Sequence, residues 1–144
     1  MTILNGTNYG KSLNPTSENV ASPGTLGGRV RILTESVICD AAQPEDSFRL
    51  GRKLRKGAKI LRLECLFVDA LGIGVLVDVG DAVDQYRYHT NVDGNQPDNF
   101  VGRMHTTAAH YEIGTNDGDD VIMAKIIDAE ANGEVKFNIF YTED

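Results

Sequence analysis

Lys59-Ile60-Leu61-Arg62-Leu63-Glu64-Cys65-Leu66-Phe67-Val68 is the stretch that decides the fold class. Side chains of a β-strand point alternately to its two faces. Leu61, Leu63, Cys65 and Phe67 form one wholly apolar set, while Ile60, Arg62, Glu64 and Leu66 are mixed. A strand with Leu61, Leu63, Cys65 and Phe67 in the core is therefore predicted. The same alternation returns near the end of the chain, where Val135, Phe137, Ile139 and Tyr141 interleave with Lys136, Asn138, Phe140 and Thr142.

Working outward, Arg29 to Cys39 is rich in β-branched residues and reads as a strand. It is broken by Ala41-Ala42-Gln43-Pro44-Glu45-Asp46, and Ser47-Phe48-Arg49-Leu50 is a short strand closing at Gly51. Val75 to Gly80 follows, with Val75, Val77 and Val79 on one side, and Tyr86 to Thr90 and Ala108 to Ile113 are further strand-like runs. Between those two, Asn91 to Gly102 reads as a long polar loop. Asp120–Ala129 and Glu134–Thr142 are expected to pair as a hairpin around Glu130-Ala131-Asn132-Gly133, because Asn-Gly favours tight hairpin turns. No segment carries a sustained helical apolar stripe. Arg52 to Lys59 has the one helix-like composition, clipped by Gly51 and Gly57.

Seven or eight short strands in 144 residues indicate an all-β protein with a single β-sandwich, a jelly roll being the common solution at this size. That domain spans residues 29–144. Residues 1–28 are different: Asn5-Gly6-Thr7-Asn8-Tyr9-Gly10, Asn14-Pro15-Thr16-Ser17 and Ser22-Pro23-Gly24 are turn formers, with Ile3, Leu4, Tyr9, Leu13, Val20 and Leu26 thinly spaced among them. Few apolar groups offset the entropy of ordering such a segment, so an extended N-terminal arm that orders on a partner is expected. No stretch reaches the roughly 18 apolar residues of a membrane helix, and Met1-Thr2-Ile3-Leu4-Asn5 lacks the pattern of a secretion signal.

The net charge is −7, unevenly placed. Residues 1–68 carry 10 basic and 6 acidic groups; residues 69–144 carry 4 basic and 15 acidic. A net acidic chain disfavours direct nucleic-acid binding. Half of the basic residues, Arg49, Arg52, Lys53, Arg55, Lys56, Lys59 and Arg62, fall within one short span. A basic stripe and an acidic half suit oriented docking to other proteins or to copies of the same chain.

Catalytic chemistry has little to rest on. His89, His105 and His110 lack zinc-site spacing, and there is no Gly-x-Ser-x-Gly elbow or phosphate-binding loop. Asp78, Asp81 and Asp84, and the run Asp117-Gly118-Asp119-Asp120, resemble oxygen-rich calcium loops. They fit tight-turn chemistry better, since Asp and Gly are what such turns use. Cys39 and Cys65 sit in apolar runs as small buried hydrophobes, and the sequence leaves open whether they meet. No metal and no cofactor is called for.

Leu54-Arg55-Lys56-Gly57-Ala58-Lys59-Ile60 leads into a strand, Gly74-Val75-Leu76-Val77-Asp78-Val79-Gly80-Asp81 follows, and Asp84-Gln85-Tyr86-Arg87-Tyr88 continues it. Over roughly residues 47–142 this order resembles small virion structural proteins of tailed bacteriophages, in particular jelly-roll capsid cement or decoration proteins. The resemblance implies a protein without catalysis, made in the host cytoplasm and carried on the outer surface of the capsid. It also implies a homotrimer that clamps neighbouring major capsid subunits. Under that reading the capsid contacts are Ile3, Leu4, Tyr9 and Leu13 in the arm and Arg52, Lys53, Arg55 and Lys56 in the basic turn. A head-completion, tail or fibre-associated β-domain is the alternative within virions, and a sugar- or calcium-binding β-sandwich the alternative outside them.

Overall fold

The structure, a computed structural model, describes residues 29–114 and 118–143. Nine strands account for most of them: β1 Val30–Ala42, β2 Ser47–Leu50, β3 Lys59–Phe67, β4 Leu76–Gly80, β5 His89–Asp93, β6 Asn99–Val101, β7 Tyr111–Glu112, β8 Ile122–Ile127 and β9 Ala131–Thr142, with a 3₁₀ turn at Thr106–Ala108. No helix among the described residues is long and apolar enough to cross a membrane. One sheet runs β1-β9-β3-β6, with β7 pairing the start of β3; the other runs β2-β8-β4-β5. Every pairing is antiparallel.

Set the two-residue β7 aside and eight strands remain. The first pairs the last, the second the seventh, the third the sixth and the fourth the fifth. This is one long antiparallel ribbon, folded at the β4–β5 connection and rolled so that, on either side of that fold, successive strands alternate between the two sheets: a jelly roll. The inward sets of the two sheets form the core. Val37 and Cys39 of β1, Leu63, Cys65 and Phe67 of β3, and Val135, Phe137, Ile139 and Tyr141 of β9 meet Leu50, Val77, Val79, Ile122, Ala124 and Ile126 from the facing sheet.

The expected hairpin at Asn132-Gly133 does not form. β8 and β9 lie in different sheets, and both residues sit inside β9, where Gly133 pairs with Cys39. The pair serves a junction instead. The Asn132 side chain accepts from the Ala41 N–H at 2.8 Å, and its own N–H donates to the Leu71 carbonyl. Gly133 adopts φ 118°, and a Cβ there would lie 2.8 Å from the Asp69 Cβ.

Two smaller expectations also change. A bulge between Ile60 and Arg62 inserts one residue into β3, so Ile60 enters the core and Leu61 is only half-buried. The polar stretch after Asn91 holds the end of β5 and all of β6, and Tyr86 to Tyr88 is a turn leading into β5. The cysteines are both buried and free. β9 separates β1 from β3, so Cys39 and Cys65 face the core two strands apart.

Candidate functional site

The basic turn between β2 and β3 is held by its apolar members. Leu54 is buried and donates its N–H to the Asp120 carbonyl at 2.8 Å; Ala58 is buried and donates to Arg55. Gly57 takes φ 91°, which glycine adopts without a Cβ penalty, and donates to the Ile113 carbonyl at 2.9 Å. With these anchors inside, Arg52, Lys53, Arg55 and Lys56 are exposed together.

Three of the four already hold partners. The Glu143 carboxylate, nearly buried, receives Arg52 at 3.1 Å and Arg55 at 3.2 Å. Arg52 also donates to the Tyr141 hydroxyl at 2.8 Å and lies over that ring. Lys53 stands 3.8 Å from Asp120, and Lys56 makes no ion pair among the described residues. The Lys53 pair is exposed and weak, whereas Arg52 and Arg55 share one nearly buried carboxylate that would lose its counter-charge if they left. The turn is thus a rigid frame carrying partly neutralised cations, less basic than its composition suggests. Arg49, Arg52 and Lys53 also line a cleft of about 440 Å³ floored by Ala82, Val121 and Met123.

Val30 pairs with Thr142, and Thr142 with Lys59. Val30, the start of β1, therefore lies beside the basic turn. Ile3, Leu4, Tyr9 and Leu13 themselves lie outside the described residues.

Sequence reasoning missed the polar network that ties the loops of this end together. Asp81, fully buried, accepts from Arg87 Nε at 2.6 Å and from the N–H groups of Val83 and Asp84 at 3.0 and 2.8 Å. The Arg87 guanidinium stacks 3.9 Å from the Tyr111 ring centroid. The Tyr111 hydroxyl donates to Asp119 at 2.7 Å, and the Gly114 N–H donates to the same oxygen. Burial, with the Asp119 carboxylate adding to it, pushes the Tyr111 phenol up to about 12. The other Asp119 oxygen and the Tyr88 hydroxyl are buried with no hydrogen-bond partner among the described residues. A run of Asp at three-residue spacing was visible, but that Arg87 would close on Asp81 was not.

Asp78, Asp84, His89 and His105 make hydrogen bonds within the fold. Asp78 accepts from the Gln85 side chain and the Asn91 N–H. Asp84 accepts from the Tyr86 N–H. His89 is buried with Nε2 2.9 Å from the Leu63 carbonyl, and desolvation lowers its pKa. His105 pairs with Thr90, and the 3₁₀ turn rather than a strand separates it from His110. No group of three His, Cys, Asp or Glu side chains among the described residues could hold a metal ion. Asp117 lies outside those residues.

The opposite end is acidic, with Asp69, Asp93, Asp98, Asp128 and Glu130 exposed around the turn that carries Ile73. Ile73 is 90% exposed between two positive-φ glycines, Gly72 and Gly74.

No protein-family model and no curated protein matches the chain. Solved structures do. A chain of the structure described as cyanophage Pam1 capsid asymmetric unit superposes with a TM-score of 0.69 at 21% identity, over 91% of this chain and 99% of that one. A chain of the capsid of Ralstonia phage GP4 superposes with a TM-score of 0.64 at 18% identity, over 81% and 86%. At these identities the likeness establishes a shared fold.

Proposed function

We propose that the chain is a non-enzymatic virion structural protein: a capsid cement or decoration protein on the outer surface of a tailed-phage head. In this reading it clamps neighbouring major capsid subunits as a homotrimer, with no direct contact to DNA or membrane. The observation that carries it is the structural match to chains of two phage capsids, one of them nearly coextensive with this chain. Fold alone does not fix function. Two features of the surface add weight: Val30, where the described chain begins its first strand, adjoins the basic turn, and that turn exposes four cations, of which Lys53 pairs only weakly and Lys56 makes no ion pair among the described residues. Docking through this end would engage the arm and Arg52, Lys53, Arg55 and Lys56 together. Each contact is modest, and repetition over a trimer multiplies it through effective concentration.

The test is co-sedimentation of the purified chain with phage heads stripped of it. The full chain is expected to bind, and a chain lacking residues 1–28 to fold but not bind. Rising salt should weaken binding, because exposed ion pairs are screened. Full binding by the truncated chain overturns the arm's role. A copy number of about a dozen or fewer per particle, the stoichiometry of a ring, overturns the cement reading in favour of a head-completion or tail part.

A further inference from the structure

The outer face of the five-stranded sheet is not finished as a solvent surface. Pairing places Ile32 beside Phe140 and Phe140 beside Arg62, while Phe100 sits beside Leu66. Ile32 and Phe100 are 55% and 51% exposed. Arg62 lies 5.8 Å from the Phe100 ring centroid and donates to Glu64 at 2.7 Å, and Asn138 donates to the same carboxylate. Gly102 makes room for this: a Cβ there would come within 2.8 Å of both Arg62 and Phe100. A held arginine stacked on an aromatic ring is what binding hot spots use.

We propose that this face is where a second copy of the chain packs, with Phe100, Arg62, Phe140 and Ile32 at the centre of the contact. Charge favours a copy as the occupant. The protein carries −7, so identical copies repel over most of their surface. On this face Arg62 and Lys136 balance Glu64 and Glu134, so a different patch of a neighbouring copy meets it without net repulsion. Size is adequate as well. Three long strands at about 4.8 Å spacing over eight residue steps of about 3.4 Å, with the three-residue β6 beside them, give roughly 440 Å² in projection. Side-chain relief raises the accessible area above that projection, to the roughly 500 Å² per partner that a specific interface must clear. The inference rests on the proposed homotrimer and names one side of its head-to-tail contact.

The experiment is light scattering of the full chain across a dilution series, with Phe100→Glu and Ile32→Glu as test variants and Ile73→Glu as control. Both test residues are half exposed, so circular dichroism and melting should stay native-like. The wild type is expected at a multiple of 15.7 kDa. Each test variant should raise the dissociation constant on the order of 30-fold, and the control should leave it unchanged. Test variants that keep the wild-type mass, or a control that dissociates as they do, overturn the proposal. A wild type that stays at 15.7 kDa also overturns it; if removing residues 1–28 then yields multimers, the arm is what covers the face. Shell binding is read separately: a monomer that binds heads overturns this inference alone, and a multimer that does not bind overturns the cement reading alone.

Discussion

Replacing Asp81 tests whether the loop network is what holds the basic end together. The carboxylate is fully buried and receives one guanidinium and two backbone N–H groups. Asp81→Ala leaves Arg87, itself largely buried, without its counter-charge, and two amides without an acceptor. Breaking one partner of a buried pair costs about 3–5 kcal/mol, and an orphaned buried donor about 1–3 kcal/mol. The stacking of Arg87 on Tyr111 survives and limits the loss. A destabilisation of about 4 kcal/mol is expected, lowering Tm by roughly 12–16 °C in a domain of this size. Asp81→Asn keeps an acceptor for the amides but turns a donor toward Arg87, and should cost about half as much. Urea unfolding followed by circular dichroism supplies the free energies, and a double-mutant cycle with Arg87→Ala isolates the pair at about 2 kcal/mol of coupling. A loss below about 1 kcal/mol for Asp81→Ala, or strict additivity in the cycle, would refute the reasoning.

Three further outcomes are expected. Gly133→Ala should cost about 2 kcal/mol or more, since φ 118° and the approach of Asp69 leave no room for a methyl group; a melt within a degree of wild type contradicts that. The His89 pKa is lowered in the fold by desolvation, so unfolding takes up a proton as pH falls. Its share of stability is present above the unfolded value near 6.5 and lost as pH drops through the lower folded one. Replacing His89 with Gln should flatten the stability profile below about pH 6.5. Cys39 and Cys65 are buried, and burial pushes the Cys65 thiol up to about 12. Neither should react with a thiol reagent at neutral pH until the chain is unfolded, when two groups should titrate.

Much of the sandwich was legible because a strand's side-chain period is local. The alternation in Leu63, Cys65 and Phe67, and again in Val135 to Tyr141, names the buried face without reference to any partner. Leu61 was misassigned because a bulge is a property of two strands, and one strand's sequence does not show where its partner skips. Asn132-Gly133 has the chemistry of a hairpin turn, yet tertiary pairing of β9 with β1 outcompetes it. The four cations of the basic turn are exposed, but their neutralisation by Glu143 and Asp120, which arrive from distant parts of the chain, was not legible in the sequence.

The sequence by itself determined that the described part of this protein is built from strands that turn an apolar face inward, with no amphipathic helix among the described residues. Tertiary structure alone decided which strand meets which. Backbone N–H and C=O groups are the same on every strand, so the choice of partner comes from packing the whole ribbon into two layers. That choice closes Arg87 on Asp81, sets Val30 beside the basic turn, and assembles Ile32, Phe140, Arg62 and Phe100 on one face.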